Sequence, residues 1–269
     1  MRSHLPWKHR IGAVNKKTEL ATVTSNERPN RKKTIFYLAS LVTVSLVLFG
    51  LFLIFLFRER SHRIPRIQAS GETAPTLGRG KAACGIAICL HPSDPARTML
   101  VTADRSIGLL TYNLEGGQIE VVRSGRVNSV DVCYNFPYQE EKITLIASSN
   151  RSRQGIDFYR VDFRNQKLQF INTVALPFDP VLCSLAFSHR DQCHYLFVSV
   201  KGRSDVMHYQ LIGETIGNIR LKRLRRLKFE APVISIAADE DNAALFCSAK
   251  AQGIWRLHLD PGVDDTWKT

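Results

Sequence analysis

The sequence predicts an all-β propeller of about four blades behind a single membrane-spanning helix, and three observations carry that prediction. One strand pattern recurs at Gly108–Leu114, Gly155–Val161, Asp205–Leu211 and Gly253–Leu259, with Tyr112, Tyr159, Tyr209 and Leu257 at steps of 47, 50 and 48 residues. Two further apolar runs precede each copy, so every unit holds three or four strands at the period expected of propeller blades. The third observation is Thr34–Phe57, 24 residues without a charge. A β-sandwich with strands alike by chance is the competing architecture, and four copies in one phase argue against it.

The clearest unit runs from Gly125 to Val161. Val127–Tyr134, Ile143–Ala147 and Ile156–Val161 are rich in branched and aromatic residues and bounded by Gly, Asn, Ser or Pro. That composition marks strands joined by tight turns. The corresponding first runs elsewhere are Ile86–Leu90, Val181–Phe187 and Val233–Ala237. The second runs are Met99–Thr102, Tyr195–Ser199 and Ala244–Ser248.

From its start, the chain opens with a basic tail (1–33) that has no periodic apolar face and is expected to be disordered and cytoplasmic. Thr34–Phe57 follows, long enough to cross a ~30 Å hydrocarbon core as a helix. A cleaved leader would have a shorter apolar region ending at small residues, whereas Arg58-Glu-Arg60 follows this run. An uncleaved signal-anchor is the expectation. Nine basic residues before the span against four after it place the N-terminus in the cytoplasm and the C-terminal part on the periplasmic or extracellular side. Residues 58–82 read as a linker, and 83–269 as the propeller, incomplete at four units.

The net charge of +13 invites a nucleic-acid partner. Residues 1–66, however, carry +10 of it and the remainder only +3, so the excess belongs to the membrane-topology signal and nucleic acid is set aside. One basic run remains, Arg220–Phe229. Its leucines at a spacing of three suit a helix on a membrane or nucleic acid. Its place between Tyr209 and the next first strand favours an exposed outer strand instead.

Six cysteines (Cys84, Cys89, Cys133, Cys183, Cys193 and Cys247) show no Cys-x-x-Cys pair and no zinc-finger spacing. Disulfides are possible outside the cytoplasm, while Cys133, Cys183 and Cys247 fall in strands and read as small buried hydrophobes. There is no nucleophile elbow, P-loop or His-Glu-x-x-His, and no catalytic residue is assigned. A cation does recur at one repeat position: Arg105, Arg151, Lys201 and Lys250, seven or eight residues before the anchor of each unit. Equivalent loops of successive blades gather at one end of a propeller, where such an arc suits a multiply phosphorylated anion. Ordinary solvated turn cations are the alternative.

The motifs Gly-Arg-Val-Asn-Ser-Val-Asp (125–131), Ala-Ser-Ser-Asn-Arg-Ser (147–152), His-Pro-Ser-Asp-Pro (91–95), Ala-Asp-Glu-Asp (238–241) and Gly-Ile-Trp (253–255) resemble the β-propeller phytases in order and spacing from about residue 83 onward. The resemblance implies a six-bladed, calcium-dependent phosphatase of the 3-phytase type, acting on phytate, with metal-associated water attacking a phosphate. Carried over by position, Arg105, Arg151 and Lys201 match phosphate-binding cations; Lys250, from its repeat position rather than the family, is a further candidate anion contact. Acids of the family's calcium sites fall at Cys84-Gly85, Ile234-Ser235 and Ala249-Lys250, so calcium is implied by the family but expected to bind weakly here. With about four units against six, the chain is expected to be truncated, to close as a smaller ring, or to be completed by self-association or a partner chain. The alternative function is a non-catalytic propeller that binds phosphorylated or other anionic ligands, or a protein.

Overall fold

The computed structural model describes residues 31–58, 68–80, 82–263 and 266–268; the expected tail lies outside these apart from its last three residues. Two units are distinguished, 1–67 and 68–269. In the first, α1 (Arg31–Arg58) is a 28-residue helix whose Arg31–Leu53 stretch is long and apolar enough to cross a membrane. Its described apolar side chains, such as Leu41 and Val47, are exposed. A buried core helix would hide them, so length and exposure fit a membrane anchor or a signal sequence.

The second unit is all-β, a four-blade propeller arrangement of four antiparallel meanders. Blade 1 holds β1 (Ala83–Cys89), β2 (Met99–Asp104), β3 (Gly108–Tyr112) and β4 (Gln118–Arg123). Blade 2 holds β5 (Val127–Tyr138), β6 (Glu141–Asn150), β7 (Gly155–Asp162) and β8 (Lys167–Ala175). Blade 3 holds β9 (Pro180–Ser188), β10 (Cys193–Val200), β11 (Asp205–Gly213) and β12 (Ile219–Lys228). Blade 4 holds β13 (Val233–Asp239), β14 (Ala244–Ala249), β15 (Gly253–His258) and β16 (Thr266–Lys268). The repeat anchors Tyr112, Tyr159, Tyr209 and Leu257 all sit on third strands and are buried. The fourth strands of blades 1–3 (β4, β8 and β12) are less apparent in sequence because they sit outermost and half-exposed. Residues such as Gln118, Gln169 and Lys222 dilute their apolar alternation.

Blades stack through their first strands, β1 on β5, β5 on β9 and β9 on β13. The core is therefore three wedges rather than one mass. Between blades 1 and 2 lie Met99, Val101, Leu109, Val127, Ile146 and Tyr159. Between blades 2 and 3 lie Phe136, Leu145, Phe158, Leu185, Leu196 and Met207. Tyr195, Phe197, Val206, Leu245, Cys247 and Leu257 fill the third. Each large side chain so enclosed contributes about 1.5–3 kcal/mol relative to exposure. Sheets covered on both faces explain why β6 and β10 read as nearly continuous apolar runs rather than alternating ones. No such wedge joins blade 4 to blade 1 among the described residues, and Ile86 (61% exposed) and Ile234 (59%) on their first strands stay exposed.

All six cysteines are free. Burial pushes the thiols of Cys89, Cys183 and Cys247 up to about 12, which keeps them protonated and inert. The basic run forms β12, the outer strand of blade 3. A bulge opposite His208/Tyr209 shifts its register. Arg225 there donates through its guanidinium to the His258 carbonyl of blade 4 at 2.6 Å and to His208 Nδ1 of its own blade at 3.1 Å.

Candidate functional site

First strands of all four blades line a central channel of about 490 Å³, with Cys84, Ser129, Asp131, Ser184, Ile234 and Glu240 on its wall. In a meander, the turn from second to third strand lies at the end where the first strand begins. Arg105, Arg151, Lys201 and Lys250 open those turns. One hydrogen bond places each of them: the backbone N–H donates to the carbonyl at the entrance to its own first strand. The acceptors are Ala82 (3.0 Å), Arg126 (2.8 Å), Asp179 (3.0 Å) and Pro232 (3.1 Å). A second bond ties the turns of blades 1–3 to the departing chain, from Gly125 to Ile107, Leu176 to Gln154 and Phe229 to Ser204. The four cations thus share one equivalent backbone position, at the end of each blade where its first strand begins; none of them is among the residues that line the channel.

Their side chains are held differently. Arg105 lies beside Cys84; burial raises that thiol, and the guanidinium partly opposes the shift. The Cys84 Sγ–H donates to the Ala103 and Val127 carbonyls, each at 3.3 Å. Arg151 is half-buried, and its Nε is buried without a hydrogen-bond partner among the described residues. An unpaired buried guanidinium nitrogen is costly unless a ligand completes it. Lys201 is half-exposed and sits 3.6 Å from Asp179. Lys250 is exposed.

The residue before each cation sets how firmly its turn is built. Asn150 Oδ1 accepts from the N–H groups of Ser152 (2.9 Å) and Arg153 (3.0 Å), fixing the Arg151 turn from inside. Its Nδ2 donates to the Ser124 carbonyl (2.7 Å) and to Asp157 Oδ2 (2.6 Å). Asp157, fully buried, also accepts from the Thr173 hydroxyl at 2.6 Å and pairs with Arg153 at 3.3 Å. Asp104 fixes the Arg105 turn through Ser106 and Ile107 N–H at 2.8 and 3.1 Å. Burial raises its carboxyl, but bonds from Ser106, Gly78 and Ile107 outweigh burial and hold it below its usual range.

Sequence reasoning missed a groove of about 710 Å³ between the outer parts of blades 2 and 3. Lys201, Arg203, Arg223 and Arg226 line it with Phe178 and Tyr209. Arg226 pairs with Asp205 at 2.6 Å. The available signal was the basic run of β12, whose alternate side chains had to face one neighbour or the other.

The channel offers a poor donor set for a calcium cluster. Where clustered acids would be needed, Cys84, Gly85, Ile234, Ser235, Ala249 and Lys250 supply a thiol, a hydroxyl, apolar groups and a cation. Asp131 is engaged by the Ser184 hydroxyl (3.0 Å) and Leu185 N–H (2.8 Å). Burial raises its carboxyl; these bonds oppose the shift and Glu240 adds to it. Among the described residues, no three His, Cys, Asp or Glu gather where they would hold a metal ion. Calcium asks for about six to eight hard oxygens, so these residues do not fit it.

The profile of the family described as phytase matches residues 35–269. A 3-phytase of Bacillus subtilis (strain 168) is 28% identical over 204 residues, covering 73% of this chain and 53% of the relative. The chain thus spans about half the length of that curated relative. Among solved structures, a protein from Lactobacillus plantarum aligns with a TM-score of 0.46 at 14% identity, covering 70% of this chain and 54% of the other. A nidogen–laminin complex aligns with a TM-score of 0.46 at 11% identity, covering 70% and 65%.

Proposed function

The chain belongs to the phytase family, and from that membership we propose that its propeller binds inositol phosphates and related phosphorylated ligands at the cationic end of the channel. The observation that carries the proposal is the fourfold hydrogen bond that sets Arg105, Arg151, Lys201 and Lys250 at one equivalent position. Phosphate rewards that arrangement. Arginine grips two oxygens at once from a braced turn, while lysine adds adjustable point charge.

The family match favours a second reading, hydrolysis of a phytate phosphomonoester by metal-activated water. It is the weaker of the two because no cluster of carboxylates that could hold a metal ion occurs among the described residues. Titration calorimetry and phosphate release, run on one preparation with inositol hexakisphosphate, separate the readings. Binding without release supports the first. Calcium-dependent release supports the second, and no binding at moderate salt removes the cationic end as a site. Calcium itself should barely raise the melting temperature, whereas a tight native-state site would stabilise the fold by several kcal/mol at saturation. A large rise in millimolar calcium contradicts the weak-binding reading.

We further propose that α1 anchors the chain, with the N-terminus cytoplasmic and the propeller outside, on the strength of its length and the basic residues before it. Protease added to intact spheroplasts should then remove the propeller. Cleavage confined to the N-terminal tail would invert the orientation.

A further inference from the structure

Blades 1 and 2 build the same turn with opposite hydrogen-bond polarity. In blade 2 the amide of Asn150 donates to Ser124, on the chain entering that blade. In blade 1 the equivalent residue is Asp104, which has no proton to give. Its Oδ2 accepts instead, from the N–H of Gly78 at 2.9 Å, and Gly78 belongs to the chain entering blade 1. The entering segment is pinned again where Ala74 N–H donates to the Gly116 carbonyl at 2.8 Å, beyond the far end of β3.

Two close approaches show how tightly this segment lies on the blade. A Cβ on Gly116 would meet the Glu72 carbonyl oxygen at 2.2 Å. One on Gly78 would meet Ala82 Cβ and Ser106 Oγ, each at 2.5 Å. On β3, Leu110 and Tyr112 belong to none of the interblade wedges yet are fully buried. Ile86 and Ile88, beyond the reach of these contacts on β1, stay exposed.

We infer that residues 72–78 form a clasp that covers β3 and positions the Arg105 turn, so that clasp docking and anion binding reinforce one another. Asp104 is the shared element: one oxygen holds the turn that carries Arg105, and the other holds the clasp. Coupling of this kind is reciprocal, so whatever the docked clasp adds to anion affinity, the anion returns as clasp protection. The inference rests on the anion-binding reading above and adds a positioning role for residues outside the cationic turns.

The test uses the full chain in detergent, with inositol hexakisphosphate as the probe. Hydrogen exchange across residues 72–78 should slow when the probe binds. Asp104→Asn keeps the Oδ1 acceptor for the turn, as Asn150 does, but sets an amide N–H against that of Gly78. It should release the clasp and weaken probe binding about three- to tenfold, the scale of one ordinary net hydrogen bond. Gly78→Ala should act alike from the clasp side. Exchange in 72–78 indifferent to the probe, or wild-type affinity in a variant whose clasp is free, overturns the clasp alone. Failure of the wild-type chain to bind the probe overturns the anion reading and the clasp with it. The wild-type exchange measurement decides even where a variant does not fold.

Discussion

The turns of blades 1 and 2 and those of blades 3 and 4 share a backbone position but not a construction. All four are tied to the entering chain by the same N–H. Before the cation, however, stand Asp104 and Asn150 in the first pair and Val200 and Ala249 in the second. The polar residues cap their turns from inside and reach to the incoming segment; the apolar ones cannot. The braced turns carry arginine and the unbraced ones lysine. A planar fork repays a fixed base with two directed bonds, whereas a flexible ammonium gains little from rigidity. On the anion-binding proposal, these turns would give a binding end with one firm half and one adjustable half.

The sharpest way to break this comparison is Asn150→Ala. It uncaps the Arg151 turn and leaves the Ser124 carbonyl and the buried Asp157 short of donors. The cost should be about 3 kcal/mol or more, since each stranded buried group costs roughly 1–3 kcal/mol. Thermal melting should fall by several degrees, with anion binding lost alongside. Val200→Ala, at the same position in blade 3, removes only two methyl groups and should cost about 1–2 kcal/mol. Equal losses in calorimetry would show that bracing does not distinguish the blades.

Binding should divide along the same line. Arg151→Ala should weaken inositol hexakisphosphate binding about tenfold or more, and Arg151→Lys should rescue it only in part because the two-pronged grip is gone. Lys201→Ala should cost less, about threefold, because the ammonium is half-exposed and already faces Asp179. A larger loss from Lys201 than from Arg151 would invert the assignment of firm and adjustable halves.

A third contrast lies inside the wedges. Phe158 in blade 2 has His208 as its counterpart in blade 3, stacked on Phe197 at 4.3 Å. Burial, aided by the Arg225 charge, lowers the His208 pKa from 6.5 to about 3. The unfolded chain therefore takes a proton below pH 6.5 that the native imidazole refuses until about pH 3. Stability is full above that window and declines as pH falls through it, by up to about 1.4 kcal/mol per pH unit. His194, also lowered by burial, adds to the decline. His208→Phe, which makes blade 3 resemble blade 2, should flatten the slope of melting temperature between pH 6.5 and 5. An unchanged slope would mean that His208 titrates normally.

The smallest effect is expected from Lys228→Ala, at the exposed end of β12. Calorimetry should show a change in binding only at low salt, where weakly screened surface charge still acts. A loss as large as that of Arg151→Ala would move the site out to the blade rim.

Much of this was legible beforehand because it is local. The anchors Tyr112, Tyr159, Tyr209 and Leu257 carry the blade period in their spacing, and the Gly, Asn and Ser around them punctuate the strands. The apolar run announces α1, although its helix begins at Arg31 rather than Thr34. The place of Arg220–Phe229 within its unit identified an outer strand, and the repeat alone put a cation in each second turn. Residues 68–80 carried no pattern at all, yet part of this stretch is held to blade 1 through Asp104 and Gly116. Likewise Asp131 reads only as the end of a motif, while its partners Ser184 and Leu185 lie on the next blade. Alternation and turn chemistry are properties of neighbouring residues, so one chain determines them in sequence. Which amide meets which carboxylate across 26 or 54 residues depends on how the blades stack, and that choice belongs to the tertiary structure.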